Sequence, residues 1–492
     1  MSEATLNQAN AAYPGADFDR IWQSALKPDD YTNPTPQERY HLAIVGAGPA
    51  GLIAAIGAAG LGAKVALIER HTMGGDCLNV GCVPSKCLLD YSKKQPGDFD
   101  GAFAWLREVR AGIAPHDSVT RYTELGVDVF MGNAAFTGDG TLQIDGTTTI
   151  NARKYALCTG AAAAVPPIPG LRESNPLTNE SVFNLQAKPN SISILGAGPI
   201  GCELAQAFAR LGVEVHLFEL VDRVLGPESP RASAIIGDAL VASGVNVHVG
   251  SGVESVTRQD DGSVVVKNGE GEFRTDRVLV ALGRRANTAD LNLAAVNVEL
   301  DDGGLVKVDE KLRTTNSDVF AAGDCAARLQ FTHHADAQAR VVVQNALFFP
   351  TASVSGFVIP HSTYTTPEVA SVGESEASLA ESGTEYDTYE VAFNELDRGR
   401  AEDDNTGYAQ VFCAKGSDKI LGASIVGHDA GEQLAPLCLM MSNKLGLGSA
   451  AKTILAYPTR SEYVKRLGDA YNRTRFTPLA QRITKFWFNL RA

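Results

Sequence analysis

The strongest constraint on this 492-residue chain is a stretch that repeats itself 150 positions later, with Gly196 standing where Gly46 stood. In the first copy a strand-like run, His41 to Val45, precedes Gly46-Ala47-Gly48-Pro49-Ala50-Gly51. A helical pattern follows, closing near Leu61-Gly62, and a second strand, Val65 to Ile68, ends at Glu69. In the second copy Ile192 to Leu195 precedes Gly196-Ala197-Gly198-Pro199-Ile200-Gly201, then Leu211-Gly212, then Val213 to Phe218 and Glu219. The first glycine permits a tight turn, the second lets backbone approach a pyrophosphate, and the third lets helix pack closely on strand. The helix then turns its unpaired N–H groups toward phosphate. Glu69 and Glu219 stand where an acid accepts hydrogen bonds from ribose hydroxyls. One glycine motif is often only a turn; two, with matching strands, helices and terminal acids, predict two dinucleotide sites.

Composition is compatible with that reading. With 44% hydrophobic and 20% charged residues the chain is an ordinary globular protein, and at about 150 residues per domain its length suggests about three domains. The net charge of −14, from 43 basic and 57 acidic side chains, repels nucleic acid and anionic lipid, so no nucleic-acid partner is expected. Met1 to Asp30 is polar and acidic where a secretory signal needs a basic start and an apolar core. No apolar run approaches the roughly 20 residues of a membrane span, and the expected location is the cytoplasm. The eight cysteines are scattered without a secretory address, so any pair among them is expected to be catalytic or metal-binding.

The segment Gly74-Gly75-Asp76-Cys77-Leu78-Asn79-Val80-Gly81-Cys82-Val83-Pro84-Ser85-Lys86 is the most informative. A disulfide needs Cα atoms about 4.4–6.8 Å apart, whereas a regular helix rises about 7.5 Å over five residues. The segment has to bend, and Gly81 permits it. A helix N-terminus, or Lys86 turned inward, would stabilise a thiolate on Cys82. Two inert buried thiols are the alternative, against which the neighbouring cofactor motifs weigh. Cys87 falls about 140° around a helix from Cys82 and is read as a core thiol. Cys158, Cys202, Cys325, Cys413 and Cys438 have no four-ligand zinc spacing and are read as buried small side chains. Val319 to Asp324 reads as a short strand ending in an acid suited to a cofactor hydroxyl. From about Gly356, strands such as Tyr408 to Cys413 and Ile420 to Val426, then a helix near Glu432 to Leu445, suggest a separate α+β domain.

Together these residues resemble the class I flavoprotein (pyridine nucleotide) disulfide reductase family, over residues 40 to 478, and within it the mercuric reductase-like branch. Both Gly motifs, the Cys77–Lys86 segment, Cys158-Thr159-Gly160, Glu203, Ala281-Leu282-Gly283-Arg284, Ala322-Gly323-Asp324 and Tyr457-Pro458-Thr459-Arg460-Ser461-Glu462 carry the likeness. The resemblance implies an α/β fold of two Rossmann-like, three-layer dinucleotide-binding domains plus a C-terminal α+β dimerisation domain. An N-terminal extension (1–39) would precede an FAD-binding part (40–180), an NAD(P)-binding domain (181–285), a central FAD-domain part (286–353), a dimerisation domain (354–478) and an amphipathic tail (479–492). It implies FAD held by Gly46, Gly48, Gly51, Glu69, Gly75, Lys86, Ala134, Gly160, Asp324 and Thr332. NADH, or NADPH, would be held by Gly196, Gly198, Gly201, Glu219, Val253 and Gly283. Cys82 would lie against the flavin with Cys77 as the outward interchange thiol, Lys86 would pair with Glu203 beside the flavin, and a homodimer would form through the C-terminal domain.

The chain departs from its thiol-disulfide relatives at Tyr457, where they carry the histidine of a His-Pro-Thr-x-x-Glu motif that, with the glutamate, serves the other subunit's interchange thiol. None of the nine histidines lies beyond His428. A phenol, with a pKa of about 10, shuttles protons poorly at neutral pH, whereas an imidazole near about 6.5 does so well. Tyrosine at this position is similar to mercuric reductases, and reducing a soft metal ion held by thiolates needs no general base at a leaving sulfur. The expected acceptor is therefore Hg(II) or another soft metal ion, a transient substrate of Cys77 and Cys82, with Tyr457 and Glu462 completing the catalytic set. The usual mercuric enzyme also carries a C-terminal cysteine pair and an N-terminal Cys-x-x-Cys domain, whereas Lys485 to Ala492 has no cysteine. A dihydrolipoamide dehydrogenase-like disulfide oxidoreductase and a low-turnover flavin redox sensor remain alternatives.

Glu219 would bond a ribose diol and repel a 2′-phosphate, and Leu220 follows it where an arginine would welcome that phosphate, so NADH is expected; Arg223 keeps NADPH as the alternative. Phe18, Ile21, Trp22 and Leu26 have helical spacing and predict a short helix packed on the body. Leu479, Ile483, Phe486, Trp487 and Leu490 form an apolar stripe with Arg482, Lys485 and Arg491 interleaved. Packing of that stripe against the protein is expected, ahead of a membrane-surface helix.

Overall fold

The chain, described by a computed structural model, divides into two compact units. One comprises Met1–Gly196, Leu204–Leu220 and Ser251–Gly356; the other comprises Ala197–Glu203, Val221–Gly250 and Phe357–Ala492. The described residues are 13–403 and 406–491, so the first twelve residues of the expected N-terminal extension and the last residue of the expected tail lie outside them.

In the first unit α1 (Ala16–Leu26) precedes β1 (Tyr40–Val45), α2 (Pro49–Gly60) and β2 (Val65–Glu69). The two-cysteine segment folds as α3 (Gly75–Val80) and α4 (Cys82–Lys94), and α5 (Phe99–Ile113), β3 (Val127–Met131) and β4 (Ala152–Leu157) follow. The second copy of the repeat supplies β5 (Ser191–Leu195), the part of α6 (Pro199–Arg210) from Leu204 onward, and β6 (Glu214–Phe218), and β7 (Arg277–Val280), β8 (Val319–Ala321) and α7 (Thr332–Leu347) come after.

The first sheet has the order β8-β4-β1-β2-β3 and every pairing is parallel. A parallel sheet is covered on both faces and needs apolar residues at nearly every position; β1 accordingly buries all of its residues except His41. In the second repeat β6 and β7 pair in parallel on either side of β5. The two copies share the bond that closes the first turn. Gly46 N–H donates to Ile68 O and Gly196 N–H to Phe218 O, both at 2.8 Å. Both glycines have φ 103°, and a Cβ would lie 2.2 Å from Cys158 O in one and 2.5 Å from Ala281 O in the other. The first glycine is thus required by both left-handed backbone and close approach of the neighbouring strand. The Rossmann-like architecture expected from the repeat is the one the chain adopts.

Helix α1 packs on α5, as its spacing predicted, with Leu26 fully buried but Ile21 half exposed. In the second unit β9 (Pro360–Thr363), β10 (Glu368–Gly373), β11 (Tyr386–Ala392), β12 (Tyr408–Ala414) and β13 (Ile420–Gly427) form an antiparallel sheet in the order β9-β10-β13-β12-β11. Its core gathers Val411, Ile425, Leu437 and Tyr463, the last on α8 (Glu462–Thr474). The single helix expected near Glu432 to Leu445 is instead two, Ala430–Gln433 and Ala435–Ser442, with Pro436 at the start of the second, where its missing N–H does no harm.

The tail also differs from expectation. Helix α9 (Pro478–Arg491) buries none of its residues within the chain; Leu479, Ile483, Phe486, Trp487 and Leu490 are each at least half exposed. Amphipathic spacing specifies a stripe but not the surface that covers it. No helix among the described residues is long and apolar enough to cross a membrane.

The two kinds of glycine in α2 make a test. A Cβ on Gly51 would lie 1.8 Å from Gly46 O, whereas one on Gly60 would meet nothing within 4 Å. Gly51→Ala is expected to destabilise by about 2 kcal/mol or more and Gly60→Ala to stabilise by about 0.5–1 kcal/mol, read from urea unfolding midpoints. Equal effects would contradict the close-packed turn.

Candidate functional site

Two consecutive left-handed glycines, Gly74 (φ 93°) and Gly75 (φ 60°), deliver the chain into α3. The helix stops at Gly81, where φ −143° and ψ −111° turn the backbone, and α4 restarts at Cys82. Gly81 is required by crowding rather than by a left-handed conformation, since a Cβ there would sit 2.8 Å from Asp76 O. The interruption lets Cys77 and Cys82 meet as two thiols in hydrogen-bond contact. Cys82 is the first residue of a 13-residue helix, at the end whose unpaired N–H groups favour negative charge. Its Sγ lies 3.5 Å from Thr332 Oγ1 at the start of α7. The Cys77 thiol is pushed well above its usual range, first by its hydrogen bond to Cys82, then by burial, then by the charge on Cys82. Two sulfurs sharing a proton titrate as a pair, the second loss being the harder. Cys87 is buried, as expected, and burial pushes its thiol up to about 11. Cys158, Cys202, Cys325 and Cys413 are buried and Cys438 is half-buried.

Around this pair the chain builds a cradle of bare backbone. A Cβ on Gly75 would lie 2.4 Å from Gly48 Cα, so these two loops approach within a distance only glycine allows, at the N-terminus of α2. Glu69 is fixed beside them, its Oε2 accepting from Ala47 N–H and its Oε1 from His71 N–H, both at 2.8 Å. A carboxylate has about four lone-pair sites, so acceptor capacity remains on both oxygens. Gly160 is left-handed (φ 67°) with open space where a Cβ would project. Ala134 is buried at the start of a short strand, Ala134–Phe136. Asp324 follows β8; burial raises its carboxyl, Arg284 opposes that shift and Asp76 adds to it. Arg284 ties the region together, bonded to Asp76, to Ala161 O at 2.6 Å and to Asp324 at 3.3 Å. The glycine cradle, the fixed acid at the end of β2 and the second acid after β8 fit a flavin dinucleotide.

The second repeat offers matching parts. Glu219 Oε1 accepts from Leu220 N–H at 2.8 Å, and Gly283 is left-handed (φ 96°) with open space at its Cβ position. Val253 begins the strand Val253–Arg258. In the second unit a Cβ on Gly198 would meet nothing within 4 Å, leaving that backbone approachable, and Gly201 lies in the first turn of α6. Within the first unit, Glu219 and the open backbone at Gly283 fit parts of a nicotinamide dinucleotide.

Lys86, in the first unit, has its Nζ 3.3 Å from Ser85 Oγ. Glu203, in the second, is buried and accepts from Tyr364 N–H at 2.9 Å. Tyr457, also in the second unit, is 69% exposed, and its hydroxyl donates to the Asp397 carboxylate, which raises its pKa through the hydrogen bond and the negative charge. Glu462 Oε1 accepts from Arg466 Nε at 2.8 Å. Asp397 was invisible in the sequence, since it lies 60 residues from Tyr457 in a stretch with no recognisable pattern. The role of Arg284 could have been suspected from the motif that contains it.

The profile described as pyridine nucleotide-disulphide oxidoreductase matches residues 40–339, and that family's dimerisation domain matches residues 359–467. The chain belongs to the pyridine nucleotide-disulphide oxidoreductase family, in its mercuric reductase-like part. It is accordingly an oxidoreductase and flavoprotein of a family whose cofactors are FAD and NAD(P)H and whose members dimerise. It is 33% identical to a mercuric reductase of Bacillus cereus over 90% of this chain and 73% of that protein. It is 32% identical to a dihydrolipoyl dehydrogenase of Chlamydia muridarum over 86% of this chain and 95% of that one. A Cu(II) complex of RclA, an HOCl-induced flavoprotein disulfide reductase from Escherichia coli, superposes with TM-score 0.81 at 28% identity, covering 88% of this chain and all of that one.

Removing Cys82 should release Cys77. With Cys82→Ala the hydrogen bond and the charge that raise the Cys77 thiol both vanish while its burial stays. The pH midpoint for alkylation of Cys77, followed by peptide mass, is expected to fall below that of the upper step of the reduced wild-type pair. An unchanged midpoint would mean the sulfurs do not share a proton.

Proposed function

We propose that the chain reduces a soft metal ion, with Hg(II) the leading case, at Cys77 and Cys82 using electrons from NADH. The observation that carries this reading is the Tyr457–Asp397 hydrogen bond, which holds the phenol protonated well beyond neutral pH. A disulfide acceptor must gain two protons as it gains two electrons, so its enzyme profits from a group that both holds and releases protons near neutrality. Metal reduction has no such demand: NADH and Hg(II) yield NAD⁺, H⁺ and Hg(0), and no proton goes to the product.

Bound FAD would supply the two-electron relay between nicotinamide and sulfur, held by Gly46, Gly48, Gly51, Glu69, Gly75, Lys86, Ala134, Gly160, Asp324 and Thr332. Cys77 and Cys82 bind the metal as thiolates, the soft ligands that suit a soft ion. The position of Cys82 at a helix N-terminus favours its anionic form. Tyr457 and Glu462, brought to the cysteines of the other subunit in a dimer formed through the C-terminal domain, line the approach without acting as a base. Glu219 accepts from a ribose diol and repels a 2′-phosphate. Arg223, in the second unit, donates to Gly226 O at 2.8 Å, a bond within its own loop, so NADH rather than NADPH is the donor.

The names of the relatives support the metal reading through the mercuric reductase and a Cu(II)-bound neighbour, and support a disulfide acceptor through the dihydrolipoyl dehydrogenase. Acceptor-dependent NADH oxidation distinguishes them. With Hg(II) in excess thiol, turnover is expected that Cys77→Ser abolishes and that exceeds turnover on lipoamide, with higher kcat/KM for NADH than for NADPH. No metal-dependent oxidation above the Cys77→Ser control would overturn the assignment, and absence of steady turnover with any acceptor would point to a sensor.

Restoring an imidazole should move the preference. Tyr457→His is expected to raise disulfide turnover by about tenfold or more, a small part of what a positioned acid–base group contributes, with the gain following the ionisation of the new histidine. A variant no better than wild type on lipoamide would show that the tyrosine does not set the acceptor.

A further inference from the structure

Helix α1 lies outside the matched profile, which begins at residue 40, yet it reaches the loop between the two cysteines. Asn79, on α3 between Cys77 and Cys82, is 4% exposed. Its Oδ1 accepts from Trp22 Nε1–H at 2.8 Å, and its amide donates to Met73 O at 2.9 Å and to Thr72 Oγ1 at 3.3 Å. Its backbone carbonyl accepts from Arg110 at 3.2 Å. Arg110 is wholly buried, with its guanidinium 4.1 Å from the centre of the Trp22 ring and bonded to Asp19 Oδ1 at 2.5 Å and Asn184 Oδ1 at 3.1 Å. Arg107, 1% exposed, donates to the other oxygen of Asp19 at 3.1 Å, to Pro14 O at 2.9 Å and to Leu185 O at 2.7 Å. Asp19 and Trp22 both belong to α1. The helix therefore supplies the carboxylate for two buried guanidiniums, and the indole that closes one face of Arg110 and holds the side chain of Asn79.

We propose that α1 is a positioning element for the dithiol, with Trp22 and Asp19 as positioning residues that act through Asn79 and Arg110 to hold the Cys77–Cys82 loop ready for disulfide formation. α3 is less than two turns long and ends at Gly81, so it cannot hold its own shape. The bonds from Trp22 and Arg110 grip it from behind, at the residue two positions beyond Cys77. Gripping the loop limits how far the sulfurs wander apart and so raises the effective concentration of one thiol at the other. In a glutathione buffer, two S–H bonds break and one S–S bond forms while glutathione disulfide takes the two electrons and two protons to become two thiols. A looser loop shifts that equilibrium toward the dithiol.

The test is Trp22→Phe, which keeps an aromatic ring beside Arg110 and removes the N–H that Asn79 accepts together with part of the indole. The full-length FAD-loaded protein is equilibrated in glutathione redox buffers, and the Cys77–Cys82 state is read by acid quench and thiol alkylation, independently of any acceptor. The bond is made in the dithiol form too, so its loss, worth about 1 kcal/mol, acts on the equilibrium by what the disulfide form gains from it over the dithiol. The oxidation constant is expected to fall by more than twofold and up to about fivefold, equivalent to a potential up to about 20 mV less negative, with the thermal unfolding midpoint within a few degrees of wild type. A constant within twofold of wild type would overturn the proposal. Should the variant not fold, the wild type answers by reciprocity, because a helix that favours the disulfide must itself be favoured by it. Amide exchange in residues 13–27 is then expected to be slower in the oxidised than in the dithiothreitol-reduced protein, and equal exchange would overturn the proposal. Neither readout depends on the acceptor, so failure of the metal assignment would leave both intact.

Discussion

A helix that would otherwise run from Gly75 to Lys94 is broken at Gly81, and the chemistry of this protein depends on that break. Unbroken, it would carry the two sulfurs to different turns and faces; broken, it brings them into hydrogen-bond contact and gives Cys82 a fresh helix N-terminus. The two effects act together. Contact is what the proposed two-electron role of the pair requires, while the helix end favours negative charge on the sulfur that begins it. The crowding of Gly81 against Asp76 O shows that the turn is packed from within.

The duplicated βαβ unit provides the frame. Its glycines reproduce the same hydrogen bond and the same left-handed turn in both copies. A motif repeated with its strands, helix and terminal acid intact specifies more than either copy alone, because each part constrains the others. The acids belong to this frame too: Glu69 is tied to the loop that starts α2, and Asp324 is balanced between burial and Arg284.

Family membership and acceptor chemistry are separate matters. Fold and glycine pattern define an FAD- and NAD(P)H-using oxidoreductase, but the same scaffold is matched by mercuric reductases, a dihydrolipoyl dehydrogenase and a Cu(II)-bound reductase. Such a scaffold hosts different reactions through a few side chains at its sites. Tyr457 is the position proposed to do so here, and its hydroxyl donates to Asp397, which raises its pKa.

What was legible in the sequence was local. The repeat, the bend at Gly81, the burial of Cys87, the packed helix at residues 16–26 and the strands after Gly356 all follow from glycine placement and from apolar periods of two and 3.6 residues. What only the tertiary structure decided joins residues distant along the chain: Asp397 against Tyr457, Arg284 between Asp76 and Asp324, and Trp22 on Asn79. The tail shows the same division. Its stripe could be read from spacing, but its exposure could not, because periodicity states which residues share a face and only packing states what that face meets.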